Sequence, residues 1–137
     1  MQLKITTDYA IRCVLFLALV DRNCSAQEIG EAMSVPAKYA QHILRQLRIA
    51  GIVRSSRGGC GGYELAKLPK EISMLEIIVA MEKKVRINRC LENDGFCNRH
   101  GVQKNCQVHA FYERLQTSIT EELTNTTIWD LLPASKK

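Results

Sequence analysis

The sequence predicts a mainly α-helical fold with one small β-hairpin. Apolar residues recur at three- and four-residue steps along most of the 137 residues, the period of amphipathic helices. A Ser or Thr precedes an acidic residue by three positions at Ser25/Glu28, Ser73/Glu76 and Thr127/Asp130, a helix-start signature. One glycine-rich run, Gly58-Gly59-Cys60-Gly61-Gly62, separates two short β-prone stretches, as a hairpin tip does. At roughly 100–200 residues per domain, this length fits one compact domain with an appended helix.

The first helix is expected over 7–21, with Thr6 or Thr7 as cap, Asp8 at the favourable end of the dipole, and Ile11, Val14, Leu15, Ala18 and Leu19 as its apolar face. Cys13 reads as a small core filler. Ser25 opens a second helix that ends near Met33. After the turn Ser34-Val35-Pro36, a third runs from about Pro36 to Ala50 and buries Ala40, Ile43, Leu44 and Leu47, with Gly51 as its left-handed terminator. Two short helices joined by so tight a turn have helix-turn-helix geometry. Strands are expected at 52–55 and 63–66, a linker at 68–70, and a helix from Ser73 to about Glu82. Residues 83–108 lack periodicity, and so long an irregular stretch needs something to order it. A last long helix spans about 106–124 with a stripe of Val108, Phe111, Leu115, Ile119 and Leu123. Thr127 and Asp130 cap a final turn over 128–132. The division expected is 1–70 as a winged helix-turn-helix unit, 71–89 as connecting helix and linker, 90–108 as a cysteine-rich loop, and 107–132 as a long C-terminal helix, suited to dimerisation, with its turn.

Charge is unevenly spread. Residues 1–70 hold ten Lys/Arg against five Asp/Glu, whereas 71–137 hold nine of each. The net charge of +5 therefore lies entirely in the first half, where a basic field suits a polyanion. Away from its apolar stripe the third helix carries Lys38, Tyr39, Gln41, His42, Arg45 and Arg48, side chains able to reach base edges or phosphates. A glycine-rich hairpin following a helix-turn-helix reads as a wing. Its Gly58 permits close backbone approach, and Arg57 suits a narrow minor groove. Arg54 is expected beside phosphate with Arg45 and Arg48, whereas Lys38, Tyr39, Gln41 and His42 would read the major groove.

Several classes are excluded. The longest clean apolar run, Cys13 to Val20, has eight residues, far short of the roughly 18 that span a bilayer. Asp8 and Arg12 interrupt its approach, which argues against a secretory signal, so no membrane association is expected and a cytoplasmic chain is. No Lys-Ser/Thr follows the glycine run, which rules out a P-loop. The chain has no Cys-x-x-Cys, nucleophile elbow or paired-carboxylate site, so an enzyme is not expected.

Of six cysteines, Cys90, Cys97 and Cys106 lie within seventeen residues. In a reducing compartment this favours metal or redox chemistry over disulfides. Three thiolates suit an iron–sulfur cluster, and Arg89, Arg99 and Lys104 flank them. His109 follows Cys106 with two residues between, a spacing that brings both side chains to one site at a helix start. Three Cys and one His could also make a closed tetrahedral zinc site, the minority alternative to the cluster.

The opening Met1-Gln2-Leu3-Lys4 through Thr7-Asp8-Tyr9-Ala10-Ile11-Arg12, the hairpin Arg57-Gly58-x-x-Gly61-Gly62-Tyr63-x-Leu65-Ala66, the cysteine triad and the ending Thr127-Ile128-x-Asp130-Leu131-Leu132 together resemble the IscR/NsrR family of winged-helix transcription regulators. The resemblance covers essentially the whole chain. It implies a bacterial homodimer, often a repressor, that binds a palindromic operator in double-stranded DNA. It further implies a cluster that senses nitric oxide, oxygen, iron or cluster demand. The intervals here, six residues between Cys90 and Cys97 and eight between Cys97 and Cys106, are longer than the family's usual ones. By the same resemblance His109 matches the fourth ligand of 2Fe–2S members, and Asp8 the carboxylate that a partner subunit lends in 4Fe–4S members. The Asp8/Arg12 pair tips the expectation toward 4Fe–4S, with Asp8 returning to Arg12 on cluster loss as a switch. The alternative is a regulator of this family without a cluster, responding to thiol oxidation or to a metabolic enzyme partner.

Overall fold

The computed structural model describes residues 2–56, 61–94, 97, 99 and 105–137. Its elements are α1 (Ile5–Val20), α2 (Ala26–Met33), α3 (Ala37–Ile49), β1 (Val53–Ser56), β2 (Gly62–Leu65), α4 (Met74–Met81), α5 (Gln107–Asn125) and α6 (Ile128–Leu131). Short 3-10 turns at Pro69–Glu71 and Arg89–Leu91 punctuate the connections.

α1 starts two residues before the sequence suggests, and neither threonine caps it. Lys4 is the cap residue and has no side-chain cap bond. The function passes to a distant carboxylate: Glu82 accepts from the Lys4 N–H at 2.9 Å and from the Thr7 hydroxyl at 2.6 Å. The hydroxyl of Thr7 holds the Glu82 carboxyl below the usual range, helped by the Lys4 N–H. The buried face is also rotated from the one expected, being Thr7, Ala10, Cys13, Val14 and Leu17. Ile11, Leu15 and Ala18 sit half-buried at its margin. α1 is apolar nearly all round, so neighbours on three sides, α2, α3 and α4, decide its rotation.

In α2 the Ser25 hydroxyl accepts from Glu28 N–H at 3.1 Å. The reciprocal half of the capping box is absent, because Glu28 pairs with Arg22 instead. Ser34 closes the helix in the left-handed region at φ 55°, and Pro36 stands just outside α3 as its cap residue. α3 buries Ala40, Ile43, Leu44 and Leu47, and Gly51 follows at φ 76°, both as the sequence indicates. The strands pair antiparallel, Val53 with Leu65 and Arg54 with Glu64, each one residue off the expected bounds. Cys24 adds an isolated antiparallel bridge to β2, exchanging backbone hydrogen bonds with Tyr63 at 2.9 and 2.7 Å.

The core unites these parts apart from α5: Val14 and Leu17 of α1, Ile29 of α2, Ile43, Leu44 and Leu47 of α3, Val53 of β1, Ile77 of α4 and Ile128 of α6, with Tyr63 and Leu65 of β2 packed against it. A bridge between Ser73 and Thr127 ties the C-terminal turn to the start of α4. α5 packs on α4, but only Gln116 of α5 is buried. The apolar stripe expected on α5 is therefore split. Leu115, Ile119 and Leu123 are half-buried, while Val108 and Phe111 are 58% and 51% exposed.

Candidate nucleic-acid interface and thiol site

The exposed basic face starts at the turn between α2 and α3. Burying the Ala40/Ile43/Leu44/Leu47 stripe forces the other side of α3 outward, and Lys38, Gln41, His42, Arg45 and Arg48 are all exposed there. Tyr39 differs. It is half-buried, its ring centroid 5.9 Å from that of Tyr9 on α1, with the Lys38 ammonium 5.1 Å above it. Arg54 is exposed but engaged, its Nε 2.8 Å from Glu64 across the hairpin. Arg57 and Gly58 lie outside the described residues.

Arg12 joins α1 to this face. It pairs with Asp8 at 2.6 Å, donates to the Met33 carbonyl at 3.4 Å, and lies 5.4 Å over the Tyr9 ring. One guanidinium thus touches the start of α1, the end of α2 and the aromatic pair that backs α3. The Asp8/Arg12 pairing was legible in the four-residue spacing. Tyr9 and the Met33 carbonyl were not, because they depend on how α1 and α2 cross.

The thiol site forms where the 3-10 turn at Arg89–Leu91 meets the start of α5. Cys106 is the cap residue of α5, its sulfur accepting from His109 N–H at 3.5 Å. His109 Nδ1 lies 3.4 Å from Cys90 Sγ, which also accepts from Asn88 Nδ2 at 3.1 Å. The other ring nitrogen of His109 faces Glu113 at 3.3 Å. Cys90 and His109 border a cavity of about 440 Å³, shared with Leu91, Glu92 and Asn93. The structure therefore brings Cys90 to the His109 ring, while Cys106 meets His109 through its backbone N–H alone. Cys97 is half-buried nearby in sequence, and among the described residues no three His, Cys, Asp or Glu converge tightly enough to hold a metal ion. Asp8 stands apart on α1, held by Arg12. Sequence reasoning missed Asn88 and Glu113. Glu113 carried a signal, one helical turn beyond His109, whereas Asn88 carried none.

Cys13 and Cys24 belong to neither site. Both are buried, and burial pushes the Cys13 thiol up to about 12. His100, Lys104 and Cys60 lie outside the described residues.

Comparison with known proteins decides the class of the exposed basic face. The family profile described as "Rrf2: Iron-dependent Transcriptional regulator" matches residues 3–134. The chain belongs to the Rrf2 family. Rrf2 proteins are transcriptional regulators, so this chain is a DNA-binding regulator of winged-helix architecture and not an enzyme. It is 30% identical over 133 residues to a putative HTH-type transcriptional regulator of Aquifex aeolicus, covering 96% of this chain and 92% of that one. It is 32% identical to the HTH-type transcriptional regulator IscR of Cronobacter sakazakii, covering 90% and 75%. Among solved structures it superposes on CymR, the global cysteine regulator of B. subtilis, with TM-score 0.78 at 24% identity, covering 100% and 98%. At that identity the last likeness speaks for the fold alone. No helix among the described residues is long and apolar enough to cross a membrane.

Proposed function

We propose that this Rrf2 protein is a cytoplasmic homodimeric repressor whose hold on a palindromic operator is set by a labile iron–sulfur cluster. The observation that carries this reading is the approach of Cys90 Sγ to His109 Nδ1, 3.4 Å apart at the border of a cavity, with Cys106 capping the same helix three residues before His109. Soft thiols and an imidazole are a donor set that fits iron–sulfur chemistry. Cys90, Cys97 and Cys106 would hold the cluster, which when bound supplies a group that nitric oxide, oxygen or iron shortage can alter.

For the fourth ligand, the approach of His109 to Cys90 supports the histidine and hence a 2Fe–2S centre. Asp8 would instead have to reach the site from a partner subunit, giving up Arg12. This departs from the 4Fe–4S expectation drawn from the sequence. Glu113 favours His109 here by orienting the ring, as carboxylates do for ligand histidines.

On DNA, α3 supplies Lys38, Gln41 and His42 to base edges, and Arg45 and Arg48 to phosphates. Tyr39 supports this face from behind through Tyr9. Two copies pair through the exposed Val108 and Phe111 of α5, which would place two reading faces in two-fold register.

The deciding experiment is anaerobic purification followed by iron and sulfide assay, a visible spectrum, and operator binding before and after nitric oxide or air. The expected result is a coloured protein with two irons per chain whose operator affinity changes as the colour is lost. Four irons, lost on Asp8→Ala but kept on His109→Ala, would return the assignment to Asp8. Zinc in place of iron, or a colourless protein still responsive at its operator, would overturn the cluster reading.

A further inference from the structure

We propose that Gln116 is the positioning residue of the thiol site: its buried side-chain amide clamps the segment before Cys90 onto α5 and so delivers the Cys90 sulfur to His109. This rests on the proposed role of that site.

Gln116 is one of two polar residues buried among those described, at 6% exposure. Its Oε1 accepts from the Ile87 N–H at 2.9 Å. Its Nε2 donates to the Val85 carbonyl at 3.3 Å and to the Thr120 hydroxyl at 3.2 Å. Val85 and Ile87 lie in neither helix nor strand, so no ladder takes up their backbone groups. Val85 and Ile87 are half-buried, so their backbone groups are partly withdrawn from water and favour a partner; here one side chain serves two of them, copying the donor and acceptor of a neighbouring strand.

Geometry ties this clamp to the sulfur. His109, Glu113, Gln116 and Thr120 follow one another at steps of four, three and four, which places them on one face of α5. The segment 85–90 is thus fastened to that face by two side chains, at Val85 and Ile87 through Gln116 and at Cys90 through His109. Between the two points lie only Asn88 and Arg89, and Asn88 itself donates to Cys90 Sγ. Releasing the first fastening frees the chain that presents the second. The two backbone partners orient the amide, because the Ile87 N–H can only donate and the Val85 carbonyl can only accept; the Thr120 hydroxyl takes the remaining amide hydrogen.

The test uses the full-length, metal-free protein. In the wild type the Ile87 amide should exchange slowly with deuterium although it belongs to no regular element, and Cys90 should alkylate slowly with iodoacetamide. In Gln116→Leu, which keeps the volume and removes all three side-chain bonds, Ile87 exchange and Cys90 alkylation should each speed up about tenfold, the scale of one lost hydrogen bond. Cys13 should stay unlabelled, which reports an intact core. Gln116→Glu retains the acceptor for Ile87 and should restore most of the slow alkylation; it also serves if the leucine variant fails to fold. Fast Ile87 exchange in the wild type, or wild-type Cys90 alkylation in Gln116→Leu with Cys13 still protected, would overturn the clamp. In iron-loaded protein the same variant should lose its absorbance to a chelator about tenfold faster. A colourless wild type would overturn the cluster reading alone; the clamp stands or falls on the exchange and alkylation rates.

Discussion

Glu82 is the side chain on which the start of α1 depends. It accepts from the Lys4 N–H and the Thr7 hydroxyl and faces the Lys4 ammonium at 3.3 Å, and its carboxyl is held below 4.5 mainly by the Thr7 hydroxyl. A carboxyl lowered in the folded state contributes stability above its unfolded value, and that contribution fades as pH falls through the folded one. Glu82→Gln should therefore cost about 1 kcal/mol at pH 7, the difference between a charged and a neutral acceptor. The gap in Tm between variant and wild type should close below pH 4.5. A gap constant from pH 7 to pH 4 would mean that the charge of Glu82 is irrelevant. Arg12 calls for a similar weighing. Its exposed pair with Asp8 is worth roughly 0.2–0.5 kcal/mol, about a factor of two in any equilibrium, too little for a switch by itself. The contacts of Arg12 with the Met33 carbonyl and the Tyr9 ring add a comparable or larger share. In metal-free protein Asp8→Ala should shift operator affinity about twofold, and Arg12→Ala several times more. Equal effects in a DNA titration would show that Arg12 does not link α1 to the reading face.

At the scale of elements, the helix-turn-helix depends on how closely α2 approaches the turn to α3. A Cβ on Gly30 would stand 2.8 Å from the Val35 carbonyl oxygen, a backbone atom that cannot swing aside. Gly30→Ala should therefore destabilise by about 1–3 kcal/mol, read from the urea midpoint, even though alanine is the better helix former. An unchanged or raised midpoint would mean that the turn yields without cost. Elements built on local rules were legible in the sequence: the Ser25 and Ser73 caps, the buried stripe of α3, and Gly51 beyond it all hold. Elements settled by partners were not. The cap of α1 comes from Glu82, seventy-eight positions from Lys4. The inner face of α5 contains Gln116, which breaks the apolar stripe, because the irregular segment it meets needs hydrogen bonds more than apolar area. The thiol site was half legible: Cys106 and His109 share a helix start, but only the fold brings Cys90 to His109.

For the whole molecule, the open question is how a basic face and an uncovered helix combine on DNA. Val108 and Phe111 leave large apolar side chains in water at the start of α5, and on the proposed dimer they meet their counterparts. Phe111→Glu should make the protein monomeric by sedimentation and weaken binding to a full palindrome while hardly changing binding to an isolated half-site. A monomer that still binds the full palindrome normally would separate dimerisation from operator recognition. Within each half of the proposed complex, the exposed side chains of α3 would divide by what they meet on DNA. Arg45→Ala and Arg48→Ala should each lower affinity on all sequences and reduce the log–log salt slope by about 0.9, the value of one released phosphate counterion. Gln41→Ala should leave that slope unchanged and instead cost about 1–3 kcal/mol at one base pair of the operator, because an amide reads a base edge and carries no charge. Should Gln41→Ala weaken operator and random DNA equally, α3 would not enter the major groove by this face, and the residues assigned to base reading would have to be sought on the wing.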